Sequence, residues 1–337
     1  MQLLKRIFSR TNKPQSPSEA RRSRRPVAPS LQWREDTTYP IVDWKAAREQ
    51  FESQAESTAP EDYWSNAAHA WLEALVAHLG DQYTVQESEH FSVLSGLADK
   101  QSKLAAEFCE RSRRRILRDL EGIAAPWGNG PHVVMIFNTE DEYYEYIGNY
   151  YPKTGEFAMS SGMFIQQGYG HFVFVASDLT RMEPIIVHEL THCLLAPLPI
   201  PAWLNEGTAV NMENQLSPRY VDPRQGIFVH REIAQKRAAF WNNATIQEFW
   251  SGKSFKRPDE GCALSYDLAQ ELTRLIARDY AKYRAYMNSA ERGDAGSQAA
   301  IEVLDFALGD LTGAVLGPGT WEPDPEAWNE GTERGQF

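Results

Sequence analysis

Apolar residues recur every three or four positions over most of this chain, and only in a few short stretches do they alternate or run together. From Trp44 to about His78 the period is helical, with Trp64, Trp71, Leu72 and Leu75 on one stripe and Gly80 as a stop. YTVQESEHFSVL, beginning at Tyr83, alternates as a strand does. A long helix is expected next, lined on one side by Leu97, Leu104, Phe108, Ile116 and Leu120. Its other faces are charged, and the RSRRR run at 111–115 reads as a solvated face. PWGNGPH (126–132) is a turn, HVVMIF (132–137) a buried strand, and EDEYYEYIGNYY (140–151) a helix that packs through Tyr143, Tyr144 and Tyr146. SGMFIQQGYGHFVFVA (161–176) reads as two short strands around a glycine-rich turn. Helical periodicity then returns at 185–195, 202–214, near 229–241, through SYDLAQELTRLIARDYAKYRAYM from Ser265, and at 298–308.

These elements divide into a tail over 1–30, a helical segment over 31–80, a main domain over 81–312 and an irregular, acidic, Gly/Pro-rich end over 313–337. The 337 residues are enough to bury a sizeable core, and 42% apolar with 24% charged residues is a globular composition. The net charge of −12 is unevenly spread. Residues 1–30 hold eight Lys or Arg and one acid, which leaves 26 basic and 45 acidic residues from 31 onward. The tail reads as solvated; its sharper reading is an electrostatic tether to an acidic surface. The acidic body argues against nucleic acid as a partner. Cys109, Cys193 and Cys262 are too few for a disulfide framework, and no apolar run approaches a membrane span, so a cytoplasmic location is expected.

The chemistry concentrates in IIVHELTHCLL, residues 185–195. At about 100° per residue, His192 lies roughly 40° from His188 on one helix face, with Glu189 about 100° away. Ile186, Leu190, Cys193 and Leu194 take the opposite face, which is free to enter a core. Two imidazoles one turn apart can reach one tetrahedral Zn²⁺, and a catalytic zinc takes a third protein ligand. Pro184 is expected in the first turn of this helix, beside Glu183. Pro197, Pro199 and Pro201 form a rigid connection, after which PAWLNEGTA opens a second helix. That helix brings Glu206 round to face the same ion. Cys193 reads as a buried thiol, and His69, His78, His90, His132, His171 and His230 show no ligand spacing.

HELTH followed by WLNEGTA resembles the gluzincin metallopeptidases, with HExxH and then NExx[AS] on the next helix. The order of HFSVL, a helix, HVVMIF, SGMFIQQGYGHFVF and the helix of Ser265 and Tyr266 is similar to the peptidase MA-like family over roughly 83–310. The resemblance implies an α+β, zincin-like fold: a mixed sheet with an edge strand packed on the zinc helix, then a mainly helical C-terminal part. It implies Zn²⁺ held by His188, His192 and Glu206. Glu189 is then the general base in hydrolysis of peptide bonds by metal-activated water, with Tyr266 the candidate oxyanion donor and Tyr220 and His230 its rivals. HFVFVA resembles the edge strand along which an extended peptide or protein substrate pairs.

The pattern also departs from the family. Many gluzincins carry an Asp one turn after the glutamate ligand to hold the first histidine; position 210 is Val here, so Asn211 or Glu213 must serve. The aminopeptidase GxMEN element is missing ahead of HExxH, and MEN at 212–214 is coincidence, so an endopeptidase is expected. The alternative is a zincin-like binding or scaffold protein without useful turnover.

Overall fold

Strands that are apolar at every position need cover on both faces, and the sheet of this protein is covered twice. A computed structural model describes residues 29–54, 58–126, 128–151, 162–217 and 227–328, with side chains from 232 onward in the last span. Most of the basic tail therefore lies outside the described residues, as do Tyr220 and the His230 side chain. Helices α1 (Trp44–Gln54) and α2 (Pro60–Leu79) precede strands β1 (Thr84–Glu87) and β2 (Phe91–Ser95). Helix α3 (Asp99–Asp119), strand β3 (His132–Phe137) and helix α4 (Glu140–Gly148) follow. Strands β4 (Gly162–Ile165) and β5 (His171–Val175) complete a sheet of order β1-β2-β3-β5-β4. β2, β3 and β5 are parallel, while β1 and β4 run antiparallel at the two edges.

The period-2 alternation sorts the side chains. Val134 and Ile136 of β3 and Phe172 and Phe174 of β5 face a core shared with α3 and the C-terminal helices. Val133, Met135, Phe137 and Val173 face a second core that contains Trp71, Leu72 and Leu75 of α2 and Tyr143 and Tyr146 of α4. The helical segment over 31–80 is thus the cover of one sheet face. Beyond β5 the described chain is helical: α5 (Leu179–Leu195), α6 (Ala202–Leu216), α7 (Ile227–Phe240), α8 (Asn243–Trp250), α9 (Glu260–Ile276), α10 (Tyr280–Met287) and, after a π turn over Ala300–Leu304, α11 (Leu308–Leu316). This is an α+β architecture with a mixed sheet and a mainly helical C-terminal half. No helix of the described residues is long and apolar enough to cross a membrane.

Several expectations change. HFVFVA is not the edge strand: β5 lies between β3 and β4, and β4 (GMFI) forms the edge. The stretch from Tyr83 folds back as the β1–β2 pair, with Ser88 N–H donating to Phe91 O. The first helical stretch divides at Pro60, and the helix from Ser265 divides at Asp279, whose carboxylate caps α10 by accepting from Lys282 N–H. On α3, Leu104 is exposed, because the inward stripe is Ala105, Cys109, Ser112 and Ile116. Of the RSRRR run, Ser112 is buried while Arg111, Arg114 and Arg115 are exposed. The helix expected over 298–308 is the π turn, and α11 runs through 312/313. Beyond it Trp321 is buried, and its carbonyl accepts from the Trp250 indole N–H.

Burial of one histidine in the second core sets a pH dependence. His171 holds Nδ1 2.7 Å from Tyr169 O and Nε2 2.8 Å from the Tyr146 hydroxyl. Nδ1–H therefore donates to the carbonyl and Nε2 accepts from Tyr146, which is the neutral ring. Burial pushes the His171 pKa down to about 4. The unfolded ring binds its proton near pH 6.5. The stability is complete above that pH, and about 3 kcal/mol of it is lost as pH falls towards 4 and the unfolded chain takes up a proton that the folded one refuses. Urea unfolding between pH 7 and 4.5 checks this: His171→Gln should flatten the slope, whatever it does to the absolute stability.

Candidate metal centre

The site begins with a helix that buries one face and aims the other at its successor. Ile186, Val187, Leu190, Cys193 and Leu194 of α5 enter the core, while His188, Glu189 and His192 stay half-buried on the opposite side. α5 starts earlier than Pro184 suggested. Leu179 opens it, and Pro184 sits inside, where its ring cannot bond back to the Thr180 carbonyl. Cys193 packs on the core side, 3.7 Å from His132 Nδ1, and burial pushes both groups to their neutral forms.

After Leu195 the chain turns through the prolines, held by Arg292 Nε donating to Ile200 O at 3.0 Å. α6 then packs on α9 with almost no space between them. A Cβ on Gly207 would collide with Ala269 O and Thr273 Oγ1. Asn211 Nδ2 stitches the pair by donating to Gly207 O (2.8 Å) and Gln270 O (3.1 Å), so it is not the partner of His188. Trp203 Nε1–H donates to Ala295 O at 3.0 Å and fixes the start of α6.

This packing brings Glu206 between the two imidazoles. Its Oε2 lies 3.3 Å from His188 Nε2 and 3.3 Å from His192 Nε2. The atom is shut off from solvent and has no aligned hydrogen-bond donor among the described residues. Three ligand atoms around a tetrahedral ion at about 2.0–2.1 Å would be spaced by about 3.3 Å. The spacing and the orphaned oxygen both fit a divalent cation better than a direct ion pair. These residues are the described set whose ligand atoms all fall within 4.8 Å of one another.

The remaining ring nitrogens are held from behind. His188 Nδ1 faces Glu213 Oε2 at 3.3 Å, and His192 Nδ1 faces Asn205 Oδ1 at 3.1 Å. Both partners accept, which keeps the proton on Nδ1 and turns Nε2 to the site. Glu213, two turns along α6 from Glu206, thus takes the place that Val210 leaves vacant. Asn205 escaped the sequence reading, although it directly precedes Glu206.

Charges are coupled here. Burial alone would lower His188, but Glu206 and Glu213 raise it to about 10. His192 is raised too, because the Glu206 charge outweighs burial. Burial would raise Glu206, yet the His192 charge and the contacts with both rings hold it well below the usual carboxylate range. Glu189 is raised, chiefly by burial. Its Oε2 accepts from the backbone N–H of Phe164 on β4 at 2.8 Å, a contact that no side-chain pattern announces. Tyr266, on α9, places its ring 6.3 Å from that of His188 and edge-on to Phe255. Burial and then the Glu206 charge push its hydroxyl pKa far up, so it stays a donor.

No protein-family model matches this chain, and no curated protein matches it either.

Removing the acceptor behind His188 should loosen the centre without dismantling it. Glu213→Gln is expected to weaken divalent-cation affinity about 10–100-fold, measured by competition with a chromogenic chelator. In that background Val210→Asp, one turn after Glu206, should recover part of the loss.

Proposed function

We propose that this chain is a zinc-dependent peptidase of zincin-like fold, acting as an endopeptidase on peptide or protein substrates. The observation that carries the reading is the convergence of His188, His192 and Glu206 on one point, with Glu189 beside them on the same helix. Two imidazole nitrogens and one carboxylate oxygen are the ligand set of a catalytic zinc, which keeps a further position for water. Bound zinc would lower the pKa of that water and polarise the scissile carbonyl.

The protein's own groups supply the rest. Glu189 takes a proton from the water as its oxygen bonds to the peptide carbonyl carbon, then delivers it to the amide nitrogen as the C–N bond breaks. Burial raises its pKa, which strengthens it as a base and suits it to return the proton. Glu213 and Asn205 keep the ligating face of each imidazole turned inward. Tyr266, protonated and next to His188, is the candidate donor to the oxygen that gains charge. The edge strand that suits an extended peptide is β4, because it lies against α5 beside Glu189.

Elemental analysis of the purified protein should find one zinc per chain, and a peptide library should be cleaved at internal bonds. Glu189→Gln should retain the zinc and lose about 10²–10⁴-fold in turnover. His192→Ala should lose the metal. Hydrolysis indifferent to Glu189→Gln would discard the enzymatic account in favour of a binding role.

A further inference from the structure

The base is gripped by backbone, and the grip has a visible cause. Phe164 pairs with Phe172 and Gly162 with Phe174 across β4 and β5. The Phe164 N–H donates to Glu189 Oε2 at 2.8 Å, and Met163 stands opposite Val173 on β5. Gly162, two residues back on the strand, sits against Ile185, four residues back from Glu189 on α5. A Cβ on Gly162 would lie 2.8 Å from Ile185 Cγ2 and would also collide with the Phe174 ring. Two residues of an antiparallel strand span about 6.8 Å, and four residues of a helix rise about 6 Å. Strand and helix therefore run in step, Gly162 over Ile185 and Phe164 over Glu189. Gly162 lies in a β-strand, and its missing side chain allows the close approach.

We infer that β4 is a positioning element for the general base: the close approach at Gly162 delivers the Phe164 N–H to Glu189 Oε2 and fixes which carboxylate oxygen is turned to the water. With Oε2 engaged, Oε1 is the oxygen that receives and returns the proton. The same strand offers the edge for an extended peptide, so base and substrate are indexed to one piece of backbone. The role assigned to Glu189 rests on the hydrolytic reading; the contact itself does not.

Gly162→Ala tests the role. The added methyl forces β4 away from α5 and shifts the Phe164 N–H from Glu189, without deleting any zinc ligand or any backbone N–H. A displacement of this size should cost about tenfold to a hundredfold in kcat. The zinc dissociation constant should stay within about twofold, whereas general loosening of the fold would weaken zinc binding as well. Amide exchange followed by NMR tests the contact without any substrate. In Glu189→Ala the Phe164 amide should exchange about ten times faster relative to Met163 than in the wild type. A kcat within about twofold of wild type for Gly162→Ala, or an unchanged Phe164 exchange ratio, would overturn the inference. Zinc-loaded wild type that cleaves no peptide would instead sink the hydrolytic reading, and the exchange ratio would still decide the contact.

Discussion

A carboxylate oxygen shut away from water needs positive charge, and among the described residues the Oε2 of Glu206 lies between two imidazoles, 3.3 Å from each. That demand organises the neighbourhood. The Glu206 charge raises the pKa of both histidines against their burial. A divalent cation bound there would satisfy the same oxygen and compete with protons for the same three side chains, which would link metal affinity to pH.

Holding the oxygen there requires two helices at fixed separation, and glycine supplies the closeness. At Gly207 the backbone of α6 meets α9, so the Glu206 carboxylate and the Tyr266 ring share one side of the site. At Gly162 the edge strand meets α5, so a backbone donor reaches Glu189. The polar contacts that hold α6 and the turn before it, from Asn211, Trp203 and Arg292, all end on backbone carbonyls, which ties the site to main chain on other segments.

The two sides of the sheet divide the labour. One face meets the helices that carry the centre. The other is closed by α1, α2 and α4 with an aromatic layer around His171, whose neutral ring is satisfied by Tyr146 and Tyr169. Edge position matters more than proximity in sequence: β5 directly precedes α5 but is shielded on both sides, whereas β4 borders the centre.

What the sequence by itself determined is local and periodic. A four-residue spacing puts His188 and His192 on one face and Leu190, Cys193 and Leu194 on the other wherever that helix lies. A proline-broken connection followed by WLNEG makes Glu206 the natural third member of the group. An unbroken apolar run likewise made HVVMIF a buried strand. The place of HFVFVA inside the sheet and the exposure of Leu104 depend on what packs alongside and not on period, while the breaks at Pro60 and Asp279 come from a proline and a cap that interrupt a continuing period. The supporting contacts were decided only by the tertiary structure. Which acceptor stands behind His188 depends on how α6 rolls against α5, and Glu213 wins over Asn211 because Asn211 is drawn to α9. The donor on Glu189 is a backbone N–H, a group that every residue but proline carries, so no pattern of side chains could single out Phe164; only the approach of one strand to one helix could.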